Sequence, residues 1–262
     1  CFVLYIKSKP YNFNNSIESS FFWLKNIKLF PLSFKTFNSF IVFSFIYLSI
    51  ILFGREDIAW FLKPFLLPFL FVAVYLHERF ASKKILLTAL SFSWIGDIIL
   101  MFSTKGELYF IGGLIAFLFS HIFYIILFNK QLKVYLRKSK FIYWIGITVI
   151  IIYLAAIMLL LLPNLGELML PVFGYALIIS IMLLFALKGF LNWQKPANIY
   201  ILIGAIIFVA SDSILALNKF YATLQYSSFL IMLTYLTAQY LIVIGILKLN
   251  KKKQHSPEKI LR

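Results

Sequence analysis

The sequence predicts an all-α fold, a polytopic membrane helix bundle of about eight transmembrane helices. Three observations carry this: 62% of the 262 residues are apolar and only 13% are charged, the mean hydropathy is +0.93, and apolar stretches of about 20 residues, the length that crosses a bilayer, recur along the chain. The polar connections between them are too short for a second soluble domain. The chain therefore divides into an N-terminal cytoplasmic or interfacial segment, 1–36, a transmembrane domain, 37–248, and a basic cytoplasmic tail, 249–262.

Residues 1–36 mix Lys7, Lys9, Lys25, Lys28 and Lys35 with Phe21, Phe22, Trp23 and Leu24. That composition suits a segment lying on the membrane surface, or one without fixed structure. The first residue is Cys1 rather than Met, which fits a fragment or a reading frame opened too far upstream; a lipidated Cys1 would put the N-terminus outside, against the charge pattern. Spans are expected at 37–53, 60–76, 84–102, 107–128, 140–162, 168–187, 197–217 and 227–248. Of the 25 Lys and Arg, only Arg55, Lys63, Lys105 and Lys219 then fall on the side away from the N-terminus. The positive-inside rule puts both termini in the cytoplasm, as in a bacterial inner membrane or an equivalent bilayer, and an odd number of spans would destroy the alternation.

The formal net charge of +16 does not point to nucleic acid. Its basic residues flank the apolar stretches and form no basic domain, so membrane lipid headgroups are the expected partners. The single cysteine excludes an intrachain disulfide and a CxxC metal site. Neither a metal nor a cofactor is expected, and nothing in the sequence fixes an oligomeric state.

A carboxylate at bilayer depth is costly unless it is paired or faces a cavity, so an intramembrane Asp marks a candidate site. Asp97 lies in the third span within Ser93-Trp94-Ile95-Gly96-Asp97, and Asp212 in the seventh within Ala210-Ser211-Asp212-Ser213. Helical rise puts them about 20 and about 22 Å from the starts of their spans, so both sit at similar depth in the outer half. Asp97/Leu100 and Asp212/Leu215 share a spacing, and each span feeds a second polar-bearing helix, a pattern that two parallel four-helix halves would produce.

The fourth span carries Gly113, Phe117, His121 and Tyr124 on one helical face, the seventh Gly204, Phe208 and Asp212, and the eighth Met232, Tyr235 and Gln239. These stripes read as a pocket lining beside the carboxylates. Lys63, followed by Pro64, enters from outside near the depth of the aspartates; it either binds a lipid phosphate, pairs with an Asp, or snorkels to the interface. His121, about 10 Å deeper than Asp97 on the same rise, is either a catalytic group or a hydrogen-bonded packing residue. Ser211, Tyr235 and Gln239 are candidates for orienting the aspartates, with Tyr124 in a supporting position. The bland reading of the two Asp residues is an interhelical hydrogen bond that holds the bundle together.

These stretches together resemble the YhhN-like, or lysoplasmalogenase, family of membrane proteins. The resemblance rests on Leu90 to Phe128, with Gly96-Asp97, Gly113, Phe117 and His121 to Tyr124, on Gly204 to Gly245, with Phe208, Ser211-Asp212, Tyr235 and Ala238-Gln239-Tyr240, and on Lys63-Pro64. It covers roughly residues 37–248. It implies a hydrolase that cleaves the vinyl ether bond of a lysophospholipid substrate, a lysoplasmalogen, with Asp97 and Asp212 as the acid-base pair.

Such cleavage needs a proton on the outer alkenyl carbon and stabilisation of the oxocarbenium ion that follows, a task two carboxyl groups perform in glycoside hydrolysis. Two close carboxyls in an apolar setting share one proton, so one serves as acid and the other as base. The competing expectation is a proton-coupled transporter of lipids or small molecules, since paired Asp and a mid-membrane His also serve transport. An intramembrane aspartyl protease fits less well: Trp94 stands where its GxGD signature needs Gly.

Overall fold

The structure, a computed structural model, describes residues 30–132 and 140–254. Among the described residues the chain is helical and has no strand. The helices are α1 (Phe30–Leu52), α2 (Glu56–Leu62), α3 (Leu66–Leu76), α4 (Lys83–Leu100), α5 (Glu107–Gln131), α6 (Lys140–Leu161), α7 (Met169–Asn192), α8 (Ala197–Phe220) and α9 (Ser227–Gln254). Helices α2 and α3 are one span broken by a 3-10 turn at Lys63–Phe65.

Six segments are long and apolar enough to cross a membrane: Glu56–Leu76, Glu107–Gln131, Phe141–Asn164, Gly166–Asn192, Ala197–Phe220 and Ser227–Lys251. The shorter apolar part of α1, Thr36–Leu52, and α4, which carries Lys83, Lys84 and Asp97 among its 18 residues, complete the set of expected spans. The chain is an integral, multi-pass membrane protein. Helix α1 begins at Phe30 and α9 runs to Gln254, so helix continues beyond 37–248 at both ends; the rest of the N-terminal segment and tail lies outside the described residues.

Lipid is as apolar as a leucine core, so small residues that admit close backbone approach, rather than hydrophobic burial, decide which helices pair. At Gly96 an added Cβ would stand 2.6 Å from the Phe117 ring, and at Gly113 2.5 Å from the Leu100 side chain, which draws α4 against α5. At Gly204 it would stand 2.8 Å from Ile242 and 3.1 Å from the Ala238 carbonyl, and at Gly245 2.5 Å from Ile201, which draws α8 against α9. Each close pair thus includes one aspartate-bearing helix. Helix α6 is the opposite case: Phe141, Trp144, Val149, Ile151 and Ile152 are exposed on its flank, where lipid lies.

The broken second span has a local cause. Pro64 and Pro68 lack backbone N–H groups, and the missing donor of Pro68 leaves the Pro64 carbonyl without its helical partner. An unpaired carbonyl at membrane depth is costly. Trp94 of α4 satisfies it, donating Nε1–H to the Pro64 oxygen at 2.7 Å.

The N-terminal end of the bundle is tied shut by Gln131. Its Nε2 donates to Ser82 Oγ at 3.1 Å and to Asn250 Oδ1 at 3.2 Å, and its carbonyl accepts from Trp193 Nε1 at 3.2 Å. Helices α5, α7 and α9 and the turn before α4 meet there. The opposite end is open.

Candidate functional site

A cavity of about 460 Å³ opens at that end, beside exposed Glu56, Thr104, Lys219 and Ser228. Its inner wall includes Lys63, Asp97, Phe117, Tyr175, Asp212 and Tyr235. The two aspartates, 115 positions apart in sequence, thus face one space.

Asp97 comes from the inner face of α4, where Ser93, Gly96 and Asp97 are buried. The carboxylate is only 6% exposed and accepts a hydrogen bond at Oδ2 from Tyr235 Oη, 2.7 Å away. Phe117 and Phe208 pack edge-on against the Tyr235 ring, with centroids at 5.8 and 5.6 Å, and fix its tilt. Lys63 stands close enough to Asp97 for each to feel the other's charge.

Asp212 is held differently. Tyr175 of α7 donates Oη–H to its Oδ2, and His121 Nε2 lies 3.4 Å from the same oxygen. Nε2 is also 2.9 Å from Tyr175 Oη. Because Tyr175 gives its proton to Asp212, its oxygen must accept from His121, so Nε2 carries hydrogen. His121 Nδ1 is buried without a partner, which is less costly for a lone pair than for an N–H. Phe208 meets the imidazole edge-on at 4.7 Å, so one phenyl ring braces both His121 and Tyr235.

Under the aspartates lies a closed polar layer. Tyr124 Oη donates to Gln239 Oε1 at 2.6 Å, and Gln239 Nε2 donates to Ser93 Oγ at 2.9 Å. Ser93 Oγ is 2.7 Å from Ser120 Oγ, which donates to the Ala89 carbonyl at 2.9 Å. These four side chains are fully buried and tie α4, α5 and α9 together, and Gln239 also interacts with Tyr235, the donor to Asp97.

Of the residues singled out in the sequence, Lys63, Asp97, Ser211, Asp212 and Tyr235 therefore line the cavity, and His121, Tyr124 and Gln239 lie behind it. Ser211 donates to the Ile231 carbonyl at 3.0 Å and so joins α8 to α9 rather than orienting Asp212. The depth expected for His121 did not suggest contact with an aspartate. Helical rise fixes only Cα positions, and the side chains close the remaining gap. No sequence motif marks Tyr175, Ser93 or Ser120 as site residues; the one signal for Tyr175 is a hydroxyl within an apolar span. Among the described residues no group of three His, Cys, Asp or Glu gathers to hold a metal ion.

Residues 58–246 match the YhhN family. The chain belongs to that family. Lys63, Asp97, His121, Tyr175, Asp212, Tyr235 and Gln239 fall inside the matched stretch, which bears out the family resemblance, while Glu56 at the cavity mouth lies before it. Lysoplasmalogenase TMEM86A of Homo sapiens is 28% identical over 186 residues, covering 66% of this chain and 70% of that protein. The Bos taurus protein of the same name is 28% identical over 176 residues, covering 63% of this chain and 65% of its own length. The YhhN chain thus spans about two thirds of each of these relatives. No solved structure matches it.

Proposed function

We propose that this YhhN protein is a membrane-embedded hydrolase that cleaves the vinyl ether bond of lysoplasmalogens, giving a fatty aldehyde and a glycerophospho-base. The observation that carries the reading is the pair of carboxylates on separate helices facing one cavity, each hydrogen-bonded by a tyrosine. The name lysoplasmalogenase, borne by its human and bovine relatives, supports the substrate class.

Asp212 is the carboxylate of the pair. Tyr175 Oη–H donates to its Oδ2 and is itself backed by His121 Nε2–H, and an ionised carboxyl is acceptor-only. Asp97, with Tyr235 as its hydrogen-bond donor, carries the shared proton. It gives that proton to the outer alkenyl carbon as the C=C electrons form the new C–H bond, leaving an oxocarbenium ion on the carbon bonded to oxygen. Asp212 stabilises the cation and takes a proton from water as the water oxygen bonds to that carbon. The hemiacetal then collapses: its hydroxyl proton passes to the leaving glycerol oxygen, the C–O bond breaks, and aldehyde departs. Proton return from Asp212 to Asp97 resets the pair.

By the charge split, the termini are cytoplasmic in a bacterial inner membrane or an equivalent bilayer, and the cavity opens on the opposite face. Lys63 and Lys219 at the cavity are suited to a lipid phosphate. The test is to incubate membranes containing the protein with a lysoplasmalogen and with its saturated alkyl-ether analogue. Aldehyde from the first alone is expected. Aldehyde from neither, with lipid moved across the bilayer, would make the protein a transporter instead.

A further inference from the structure

The hydrolase reading needs a place for the substrate's hydrocarbon chain. Charged and polar Glu56, Asn218 and Lys219 stand at the cavity mouth, among apolar Trp60, Met101 and Ile231. Below the aspartates the way is shut by His121 and the layer of Ser93, Ser120, Tyr124 and Gln239, all fully buried. A chain attached at the aspartates therefore leaves either back through the mouth or sideways.

One side provides a path. Tyr175 and Asp212, on the cavity wall, also border a narrow crevice of about 50 Å³ that reaches Tyr153 of α6 and Val209 of α8. Tyr153 and Val209 in turn border a groove of about 370 Å³ between α6, α7 and α8. Apart from Tyr153 the groove is lined by apolar side chains and small residues, among them Val149, Leu187, Leu202 and Ile206. Gly146 sets its width: a Cβ there would stand 2.2 Å from Leu187. Val149 is 58% and Ile206 49% exposed, on the flank that faces hydrocarbon.

Where crevice and groove meet, a polar contact joins α6 to α8. Ser213 Oγ donates to the Val209 carbonyl at 2.6 Å, so the Tyr153 hydroxyl donates to Ser213 Oγ. This contact sits one residue from Asp212 and ties α8 to α6, the least embedded of the long apolar spans. Little of the span Phe141–Asn164 is buried inside the bundle, so α6 can part from α8 at little cost in packing.

We propose that the groove between α6, α7 and α8 is the binding site for the hydrocarbon chain of a single-chain ether lipid, which enters laterally from the bilayer past Tyr153. The proposal deepens the hydrolase reading and rests on it for the substrate. The occupant is committed by continuity: an apolar groove open to hydrocarbon leads, through shared lining residues, to a carboxylate of the cavity. The headgroup then lies between exposed Lys219 at the mouth and Lys63 on the inner wall, the ether at the aspartates, and the chain in the groove.

The test uses a saturated alkyl-ether lysolipid, which has no vinyl ether, with a diazirine near the end of its chain. Photolysis with the full-length protein in nanodiscs should label peptides covering 146–153 or 202–210. Unmodified lysolipid should compete that label, and Ile206→Trp, which fills the groove, should reduce it. Label confined to α1 or α9, or label that lysolipid does not compete, would overturn the proposal. This readout needs no turnover, so failure of the hydrolase reading would show separately as absence of aldehyde. If aldehyde is formed, I206W should lower the preference for long-chain over short, water-soluble alkenyl substrates by about tenfold or more, from the lost burial of methylenes. An unchanged ratio in both I206W and V149W would also overturn it.

Discussion

Replacing Tyr175 with Phe isolates one hydroxyl at the centre of the site. The phenyl ring fills nearly the same volume, so the packing of α7 against α5 and α8 is retained. What disappears is the bond from Tyr175 Oη to Asp212 and the acceptor for His121 Nε2, now 2.9 Å away. A hydrogen bond to a charged group contributes about 1.5–3 kcal/mol. His121 offsets part of this, since Nε2 already lies 3.4 Å from Asp212 Oδ2 and can donate there after a small shift. If Asp212 faces the developing cation, the net loss falls on the chemical step: kcat drops about 10- to 100-fold, at about 1.4 kcal/mol per factor of ten. KM should change by less than about threefold, because the lost bond serves the carboxylate rather than the lipid. The assay is aldehyde release against lysoplasmalogen concentration, with a detergent melting curve to establish that the variant is folded. A folded Y175F protein with kcat within about twofold of the parent would refute the role given to Tyr175.

Other substitutions test how the scaffold holds the site. Trp94→Phe strands the Pro64 carbonyl at membrane depth and should lower stability by about 1–3 kcal/mol, read as a lower unfolding midpoint in detergent; an unchanged midpoint would show that another donor serves the carbonyl. Gly204→Ala drives a Cβ to 3.0 Å from the Ile242 nitrogen and 3.1 Å from the Ala238 carbonyl, backbone atoms that cannot swing aside. It should cost about 1–3 kcal/mol, while Gly174→Ala, with nothing within 4 Å, should leave the midpoint unchanged or slightly raised. Equal effects of the two would remove close α8–α9 packing as the reason for glycine at 204.

The spans were legible because crossing a bilayer requires only a sufficient apolar length, which composition reveals without knowledge of neighbours. The aspartates were legible for the same reason in reverse, since a carboxylate stands out where almost everything else is apolar. Helical spacing also placed Phe117, His121 and Tyr124 on one face of α5. Tyr175 was not legible, because its partners His121 and Asp212 lie 54 and 37 positions away. In a bilayer, moreover, core and lipid faces are equally apolar, so α6 and α7 show no stripe to reveal which side turns inward. The same blindness hid the 3-10 turn at Lys63, inside what the sequence reads as one unbroken span, because the tie of the Pro64 carbonyl to Trp94 depends on how α4 packs.

Asparagine at each aspartate keeps size and shape while removing the ability to hold or release a proton. The decisive measurement is therefore aldehyde release by Asp97→Asn and Asp212→Asn, each verified as membrane-inserted at the parent level. Both should fall to the background of membranes lacking the protein, because an acid without its partner cannot complete the cycle. Full activity in either variant would contradict the paired-carboxylate site.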